Sequence, residues 1–182
     1  HNLAERLADG AERLVVGDPT DEKTEVGPLI RPYEVQRVHE WVEEARLAGA
    51  EILCGGKLIS KTCYAPTVLF NPTPDAKVST MEIFGPVVCV YPYDDVDEAV
   101  DRANSLPYSF QAAVFTSNID FAMRAYNRLD ASAVMVNDHS AFRVDWMPFA
   151  GLKESGLGIG GIPHTMRDMQ IEKMMVIRSP EL

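Results

Sequence analysis

Met81-Glu82-Ile83-Phe84-Gly85-Pro86-Val87-Val88 places one carboxylate and one aromatic ring directly before a nearly continuous apolar run, residues 87–91. Such a run is typical of a strand buried on both faces of a sheet. Because ligands of α/β proteins bind preferentially at strand ends, Glu82 and Phe84 are candidate binding residues. A solvated glutamate beside a core phenylalanine gives the same pattern, and the spacing alone leaves both interpretations open.

On both sides of this stretch, helical and extended patterns alternate without repeats, which indicates an α/β fold. The residues between 137 and 163 are the exception, since they show little periodicity, and an irregular stretch of that length is usually functional. The predicted elements are a helix with Leu3, Leu7, Ala11 and Leu14 on one face; a helix from Pro32 with Val35, Val38, Val42 and Ala45 on one face, ending near Gly49; strands over residues 51–54, 67–70 and 87–91; a helix from an Asp95 cap to residue 103; a strand over 111–116; a helix from Asn118 or Asp120 to about 129; a strand over 133–136; a short helix over 164–168; and a terminal strand over 171–177.

Composition excludes several classes of protein. The 182 residues carry a formal net charge of −10, which opposes binding to nucleic acid or to anionic membrane surfaces. No apolar run approaches the roughly 20 residues of a membrane-spanning helix, and residues 1–10 do not form a signal peptide, so we expect a cytoplasmic protein. The three cysteines, Cys54, Cys63 and Cys89, fit neither a disulfide framework nor a metal knuckle. The four histidines are dispersed, and no metal site is predicted.

The irregular stretch offers further candidates. Gly156-Leu157-Gly158-Ile159-Gly160-Gly161 lacks the preceding strand and the following acidic residue of a dinucleotide fingerprint, so it is not interpreted as one. Asp138-His139-Ser140 contains the residue types of a catalytic triad, but neighbours along one loop cannot adopt triad geometry. Arg143 suits a carboxylate or phosphate ligand, and an ion pair with Asp145 is the simpler alternative.

Four segments resemble the aldehyde dehydrogenase superfamily, in order and spacing, across nearly the whole chain. The most specific is the stretch from Glu82 to Val87. The four are Val16-Gly17-Asp18-Pro19 with Val26-Gly27-Pro28-Leu29; Glu82-Ile83-Phe84-Gly85-Pro86-Val87; Asn104 and Tyr108 with Ala112-Ala113-Val114-Phe115; and Val136-Asn137 followed by Pro148-Phe149-Ala150-Gly151-Leu152-Lys153 and Ser155-Gly156.

The resemblance implies an incomplete α/β catalytic domain, with a mostly parallel sheet flanked by helices. Residues 1–170 would be the catalytic-domain part, and residues 171–182 a terminal strand or tail that serves as an oligomerisation contact. The family's nucleophilic cysteine, general-base glutamate and oxyanion asparagine would lie upstream of His1, as would its coenzyme domain. No catalytic residue is therefore expected in the chain, and the isolated chain is expected to be inactive and not to bind NAD or NADP tightly.

The resemblance also assigns binding roles. Glu82 matches the glutamate that accepts hydrogen bonds from the nicotinamide ribose hydroxyls, and Phe84 matches the aromatic packed near that ribose. Phe149 matches an aromatic of the aldehyde tunnel, while the loop from Asn137 to Pro148, which includes His139 and Arg143, corresponds to a substrate-anchoring loop. The implied activity is NAD- or NADP-dependent oxidation of an aldehyde to an acid through a thiohemiacetal and a thioester, in a homodimer or homotetramer. A non-catalytic oligomerisation module derived from the family is the alternative.

Several positions depart from the usual family pattern. They are Met81, Ser109-Phe110, Ser132, Ala150 and Ile159-Gly160. They indicate an outlying subgroup of the family. The Gly-rich tail from Ser155 to Pro163, with Arg143-Val144-Asp145 ahead of Pro148, most resembles members that act on small polar aldehydes, such as lactaldehyde, phosphonoacetaldehyde and glyceraldehyde 3-phosphate. Arg143 would then hold an anionic tail of the substrate.

Overall fold

The computed structural model describes residues 1–181, which divide after Asp94 into two units. The first unit is His1–Asp94, and the second begins at Asp95. No helix among residues 1–181 is long and apolar enough to cross a membrane.

The first unit packs helices against a three-stranded sheet. The strands lie in the order β1-β2-β3, with β1 and β2 antiparallel and β2 and β3 parallel. Thr67 is opposite Val87 in the parallel ladder, and all four residues of β3 pair with β2. The prediction that this strand is buried on both faces is wrong, because β3 is an edge strand of this sheet and Val88 is 52% exposed. The elements are α1 (Asn2–Glu12), α2 (Pro32–Leu47), β1 (Glu51–Cys54), β2 (Thr67–Phe70), α3 (Lys77–Thr80) and β3 (Val87–Val90).

Helix α2 carries the core of this unit. Pro32 occupies its first turn, as predicted, because proline has the backbone φ of a helix and no N–H to leave unpaired. The four predicted apolar positions of α2 are all buried and cluster with Tyr64 and Leu69. Removing the Leu69 side chain would cost about 2–5 kcal/mol of stability.

Helix α1 forms as predicted, and Ala11 of its predicted apolar face packs against the core, but the leucines of that face do not. Leu3 and Leu7 are exposed, whereas Ala4 and Ala8 are buried. Ala8 packs with Cys54 and Val68, because α1 lies against β1 and β2. A close approach of the helix to the sheet leaves room for alanine and directs the leucines outward.

The second unit is built from short elements. Its two parallel strands, β5 and β6, pair in register over Gln111–Val114 and Ala133–Val136, and two shorter strands, β4 and β7, are antiparallel. Asp95 accepts a hydrogen bond from Asp97 N, and Asn118 accepts one from Phe121 N, so both predicted helix caps are confirmed. The elements are α4 (Val96–Asn104), β4 (Tyr108–Ser109), β5 (Gln111–Val114), α5 (Ile119–Arg128), β6 (Ala133–Val136), β7 (Leu152–Lys153) and α6 (Ile162–Asp168).

The predicted terminal strand over residues 171–177 is wrong for this structure. These residues have no helix or strand and are exposed, Ile171 by 94% and Met174 by 85%. An extended segment becomes a strand only when another strand pairs with it, and none of the strands in residues 1–181 does so. Leu182, the last residue of the predicted tail, lies outside the described residues.

The α/β class is confirmed, and its two longest ladders, β2–β3 and β5–β6, are parallel. The strands form three separate small sheets rather than one continuous sheet. The division of the chain between a catalytic part, residues 1–170, and a tail stays a prediction.

Candidate functional site

The loop that carries Glu82 and Phe84 joins α3 to β3. It is tied to the sheet by two backbone hydrogen bonds, from Thr67 N to Pro86 O and from Val87 N to Gly85 O, both 2.8 Å. Phe84 has a φ of 49°, a left-handed conformation that costs a residue with a side chain about 1–2 kcal/mol. Its ring is 76% exposed, so the core interpretation of Phe84 is wrong.

The same loop approaches helix α2 very closely at Gly85. A Cβ atom at this position would lie 2.9 Å from Val38 Cγ2, a distance that real Cβ atoms essentially never show. Val38 is fully buried in the core of the first unit. Glycine at position 85 therefore sets how closely the Glu82–Phe84 loop sits on α2.

Between the loop and α2 lies a cavity of about 460 Å³, open to solvent. Glu82 and Phe84 line it from the loop. The other lining residues are Ile30, Glu34, Arg37 and Trp41. The structure therefore brings the two predicted cofactor-binding residues together in one concave, partly apolar site.

Arg37 is the most highly connected side chain of this cavity. Its Nε donates to Glu34 Oε2 at 2.6 Å, and its Nη2 donates to the backbone carbonyl of Ile83, also at 2.6 Å. Its guanidinium lies over the Trp41 ring, with Cζ 4.4 Å from the ring centroid. Ile83 is the residue between Glu82 and Phe84, so Arg37 holds the loop at its centre.

The Glu82 carboxylate, by contrast, has no hydrogen-bond or ion-pair partner within residues 1–181, and Glu82 is exposed. A carboxylate with free lone pairs is an acceptor for a pair of hydroxyl groups. Phe84 supplies an exposed apolar surface beside it. These residues fit a ligand that carries a diol and a flat ring system, which are the features of a nicotinamide riboside.

In the second unit, the predicted aldehyde-pocket residues Phe149 and Arg143 are in contact. The Arg143 guanidinium stacks on Phe149, with Cζ 4.0 Å from the ring centroid. Phe110 packs edge-on against the same ring, at 4.7 Å between centroids. Reciprocal backbone hydrogen bonds with Gly160, of 3.1 and 2.7 Å, fix the backbone of Phe149. The predicted alternative, an ion pair between Arg143 and Asp145, does not form.

The loop that leads to this cluster is held at its start by Asn137. The Asn137 amide accepts from Thr116 N at 2.8 Å and donates to Thr116 O at 2.9 Å. His139 follows, with a side chain that is 71% exposed. Within residues 1–181 its one ion-pair partner is the adjacent Asp138, at 3.8 Å. No hydrogen bond, ion pair or ring contact within residues 1–181 joins His139 to the Arg143–Phe149 cluster.

The three cysteines lie in protected positions. Cys54 and Cys63 are buried, and Cys89 is half-buried. Burial raises the pKa of the Cys54 thiol and of the Cys89 thiol. Nucleophilic cysteines need the opposite shift, because the thiolate is the reactive form.

Residues 1–175 match the aldehyde dehydrogenase family, and the chain belongs to that family. Among its relatives, 3-sulfolactaldehyde dehydrogenase of Priestia megaterium is 43% identical over 172 residues, which are 94% of this chain and 36% of that protein. The chain thus spans about 36% of the length of the curated relatives it matches.

Two solved structures carry the same fold. Glyceraldehyde-3-phosphate dehydrogenase GapN from Methanocaldococcus jannaschii, complexed with NADP, aligns with a TM-score of 0.86 and 37% identity, over 92% of this chain and 36% of that chain. Aldehyde dehydrogenase 21 from Physcomitrella patens, in complex with the reaction product succinate, aligns with a TM-score of 0.88 and 34% identity, over 92% of this chain and 35% of that chain. The predicted family and subgroup are confirmed.

Sequence reasoning missed Glu34, Arg37 and Trp41. Their spacing of three and four residues places them on one edge of α2, which was a usable signal. Their contact with the loop, 46 residues downstream of Arg37, was not visible in the spacing.

Proposed function

We propose that this chain supplies the nicotinamide-ribose carboxylate and part of the aldehyde pocket of an NAD- or NADP-dependent aldehyde dehydrogenase. The observation that carries the proposal is the unpaired Glu82 carboxylate beside the exposed Phe84 ring, in a cavity of about 460 Å³. Glu82 accepts hydrogen bonds from the two ribose hydroxyls, and Phe84 packs near the ribose. When bound, the nicotinamide accepts a hydride from the substrate carbon.

The nucleophile is not one of the three cysteines of this chain. Cys54, Cys63 and Cys89 are buried or half-buried, and desolvation favours the neutral thiol at Cys54 and Cys89. We therefore expect the isolated 182-residue chain to form no reduced nicotinamide when it is mixed with an aldehyde and NAD⁺ or NADP⁺. Turnover that persists in a triple Cys→Ser variant would show contaminating enzyme, whereas turnover that this variant abolishes would contradict the assignment.

The substrate proposed for the site is a small aldehyde with an anionic tail. A guanidinium stacked on an aromatic ring keeps its N–H edge available, and that edge matches a carboxylate, phosphate or sulfonate in two parallel hydrogen bonds. Arg143 is stacked in this way on Phe149 and has no ion-pair partner within residues 1–181. The names of the relatives, with sulfolactaldehyde, glyceraldehyde 3-phosphate and succinate, support the same chemistry.

A hybrid enzyme tests the proposed substrate class. In the hybrid, residues 1–175 of this chain replace the matching segment of the Priestia megaterium 3-sulfolactaldehyde dehydrogenase. Loss of hydrogen bonds to a charged group costs about 1.5–3 kcal/mol, so we expect Arg143→Met to lower kcat/KM for 3-sulfolactaldehyde by about 10- to 100-fold.

Lactaldehyde, which has the same three-carbon hydroxyaldehyde skeleton but no sulfonate, is the control substrate, and its kcat/KM should change little. Arg143→Lys should recover only part of the loss, because lysine cannot form the two parallel hydrogen bonds. An equal loss for both aldehydes in Arg143→Met would instead indicate that Arg143 supports the fold of the loop.

A second candidate function, an interaction module, is favoured by the exposed apolar tail. Ile171, Met174, Met175, Val176 and Ile177 are between 65% and 94% exposed. An extended apolar segment of this kind adds readily to the edge of a partner's sheet. Size-exclusion chromatography with light scattering of residues 1–182 and 1–170 tests it: an oligomer that becomes a monomer on truncation supports the module, and a monomeric full chain argues against it.

A further inference from the structure

Glu34 and Arg37 share the cavity with Glu82, and the three side chains form an asymmetric charge arrangement. Two carboxylates and one guanidinium line the same space. The guanidinium is paired with Glu34, at 2.6 Å, and the side chains of this pair are only 17% and 22% exposed. Glu82 is left without a partner within residues 1–181, although it lines the same cavity.

The partner of the Arg37 guanidinium determines what Glu82 can bind. An arginine paired with Glu82 would occupy the lone pairs that two hydroxyl groups need. The i,i+3 spacing of Glu34 and Arg37 on α2 keeps the guanidinium on its own helix. The Trp41 ring stacks on one face of the guanidinium. The second donor of Arg37 is directed to the Ile83 carbonyl rather than to a carboxylate.

We propose that Glu34 and Arg37 are positioning residues of the cofactor site. Glu34 retains the Arg37 guanidinium, so that the Glu82 carboxylate stays available for the ribose hydroxyls. Arg37, through the Ile83 carbonyl, fixes the loop that presents Glu82 and Phe84. The inference rests on the proposed role of Glu82. It adds a reason why Glu82 remains unpaired although the Arg37 guanidinium lines the same cavity.

The retention of Arg37 is testable in the ligand-free chain by NMR. The Arg37 Nε–H resonance is sensitive to the partner of the guanidinium. The side-chain carboxyl ¹³C resonance of Glu82 is sensitive to any partner of that carboxylate. When Glu34 is present, Glu82→Gln should leave the Arg37 resonance unchanged. In Glu34→Gln, the Arg37 resonance and the Glu82 carboxyl resonance should both move, and adding Glu82→Gln should shift the Arg37 resonance again.

The KM for NAD⁺ of the hybrid enzyme then tests the consequence, because the hybrid also contains the upstream part of the enzyme. Glu34→Gln should raise this KM by about fivefold, which corresponds to about 1 kcal/mol. Glu43→Gln is the matched control, because Glu43 forms the same i,i+3 pair with Arg46 on α2, away from the cavity. A purely structural role predicts equal effects for the two variants.

The outcomes separate the inference from the function on which it rests. If Glu34→Gln leaves the Glu82 resonance unmoved, or gives the hybrid the same KM for NAD⁺ as Glu43→Gln does, the inference is overturned. If Glu82→Gln leaves the KM for NAD⁺ of the hybrid unchanged, the proposed cofactor role fails. In that case the ligand-free resonances still decide whether Glu34 retains Arg37.

Discussion

Replacing Gly85 by alanine should force the Glu82–Phe84 loop away from helix α2. The new methyl group would lie 2.9 Å from Val38 Cγ2, which is well inside van der Waals contact. Val38 is fully buried, so its side chain cannot move aside without disturbing the core. Overpacking of this kind costs about 1–3 kcal/mol, and we expect the free energy of unfolding of the first unit to fall by that amount.

A double-mutant cycle tests whether this contact is the cause. Val38→Ala removes the methyl group that Gly85→Ala would meet, at the cost of the Val38 burial. The double variant should therefore be more stable than the sum of the two single effects predicts, by about 1 kcal/mol. Gly27→Ala is the control, because a Cβ at Gly27 meets nothing within 4 Å.

Urea denaturation followed by Trp41 fluorescence measures these effects. Trp41 belongs to α2, and a Trp146→Phe background removes the signal of the second unit. The probe then reports the first unit alone, which matters because a chain of two units need not unfold in one transition. If Gly85→Ala is as stable as Gly27→Ala, or if the two substitutions are additive, the loop does not depend on this contact.

Three further predictions concern the thiols and the second unit. Alkylation of Cys54 and Cys89 at neutral pH should be much slower in the folded chain than in urea, by mass spectrometry, because burial raises both pKa values and protects the sulfur; rapid labelling of the folded chain would contradict this. The folded state holds these two thiol protons more tightly than the unfolded state does. The resulting contribution to the free energy of unfolding is therefore fully present below the ordinary thiol pKa of 9.0 and should be lost as the pH rises above it. A double Cys→Ala variant should lack this trend. Amide hydrogen exchange should be slower in α2 and β2 than in α5 and β6, because the large buried clusters lie in the first unit; equal protection would refute this.

The sequence predicted the elements whose pattern is set by their own residues. Val35, Val38 and Val42 recur at helical spacing behind Pro32, and all three are buried in α2. The strands β1, β2 and β6 have the predicted bounds, because turns or polar residues flank each apolar run. Periodicity failed where tertiary packing decides, since Leu3 and Leu7 have the spacing of a core face but are exposed.

Short and partner-dependent elements were not predictable in the same way. Strands β4 and β7 have two residues each and exist because Tyr108 and Ser109 pair with residues more than 40 positions away. Residues 171–177 have a strand-like composition, but no strand of the described chain pairs with them. A strand is a property of two segments, and one segment cannot predict it alone.

The residues of the candidate site were likewise predictable only where their own sequence context identified them. Glu82 and Phe84 were identified by their place before an apolar run and by the family resemblance, and the structure brings them together. Arg37 was not identified, because its role comes from a hydrogen bond to Ile83 across a tertiary contact. The contact of Arg143 with Phe149 also required the folded loop.

The central claim, that Glu82 binds the cofactor ribose, is tested most directly by the KM for NAD⁺ of the hybrid enzyme with Glu82→Gln. A glutamine keeps the size of the side chain but removes the charge that strengthens two hydrogen bonds, so we expect KM to rise by about tenfold or more. Glu22→Gln, which changes an exposed glutamate of a turn, should leave it unchanged. A KM for NAD⁺ in Glu82→Gln equal to that of the unmodified hybrid would contradict the claim.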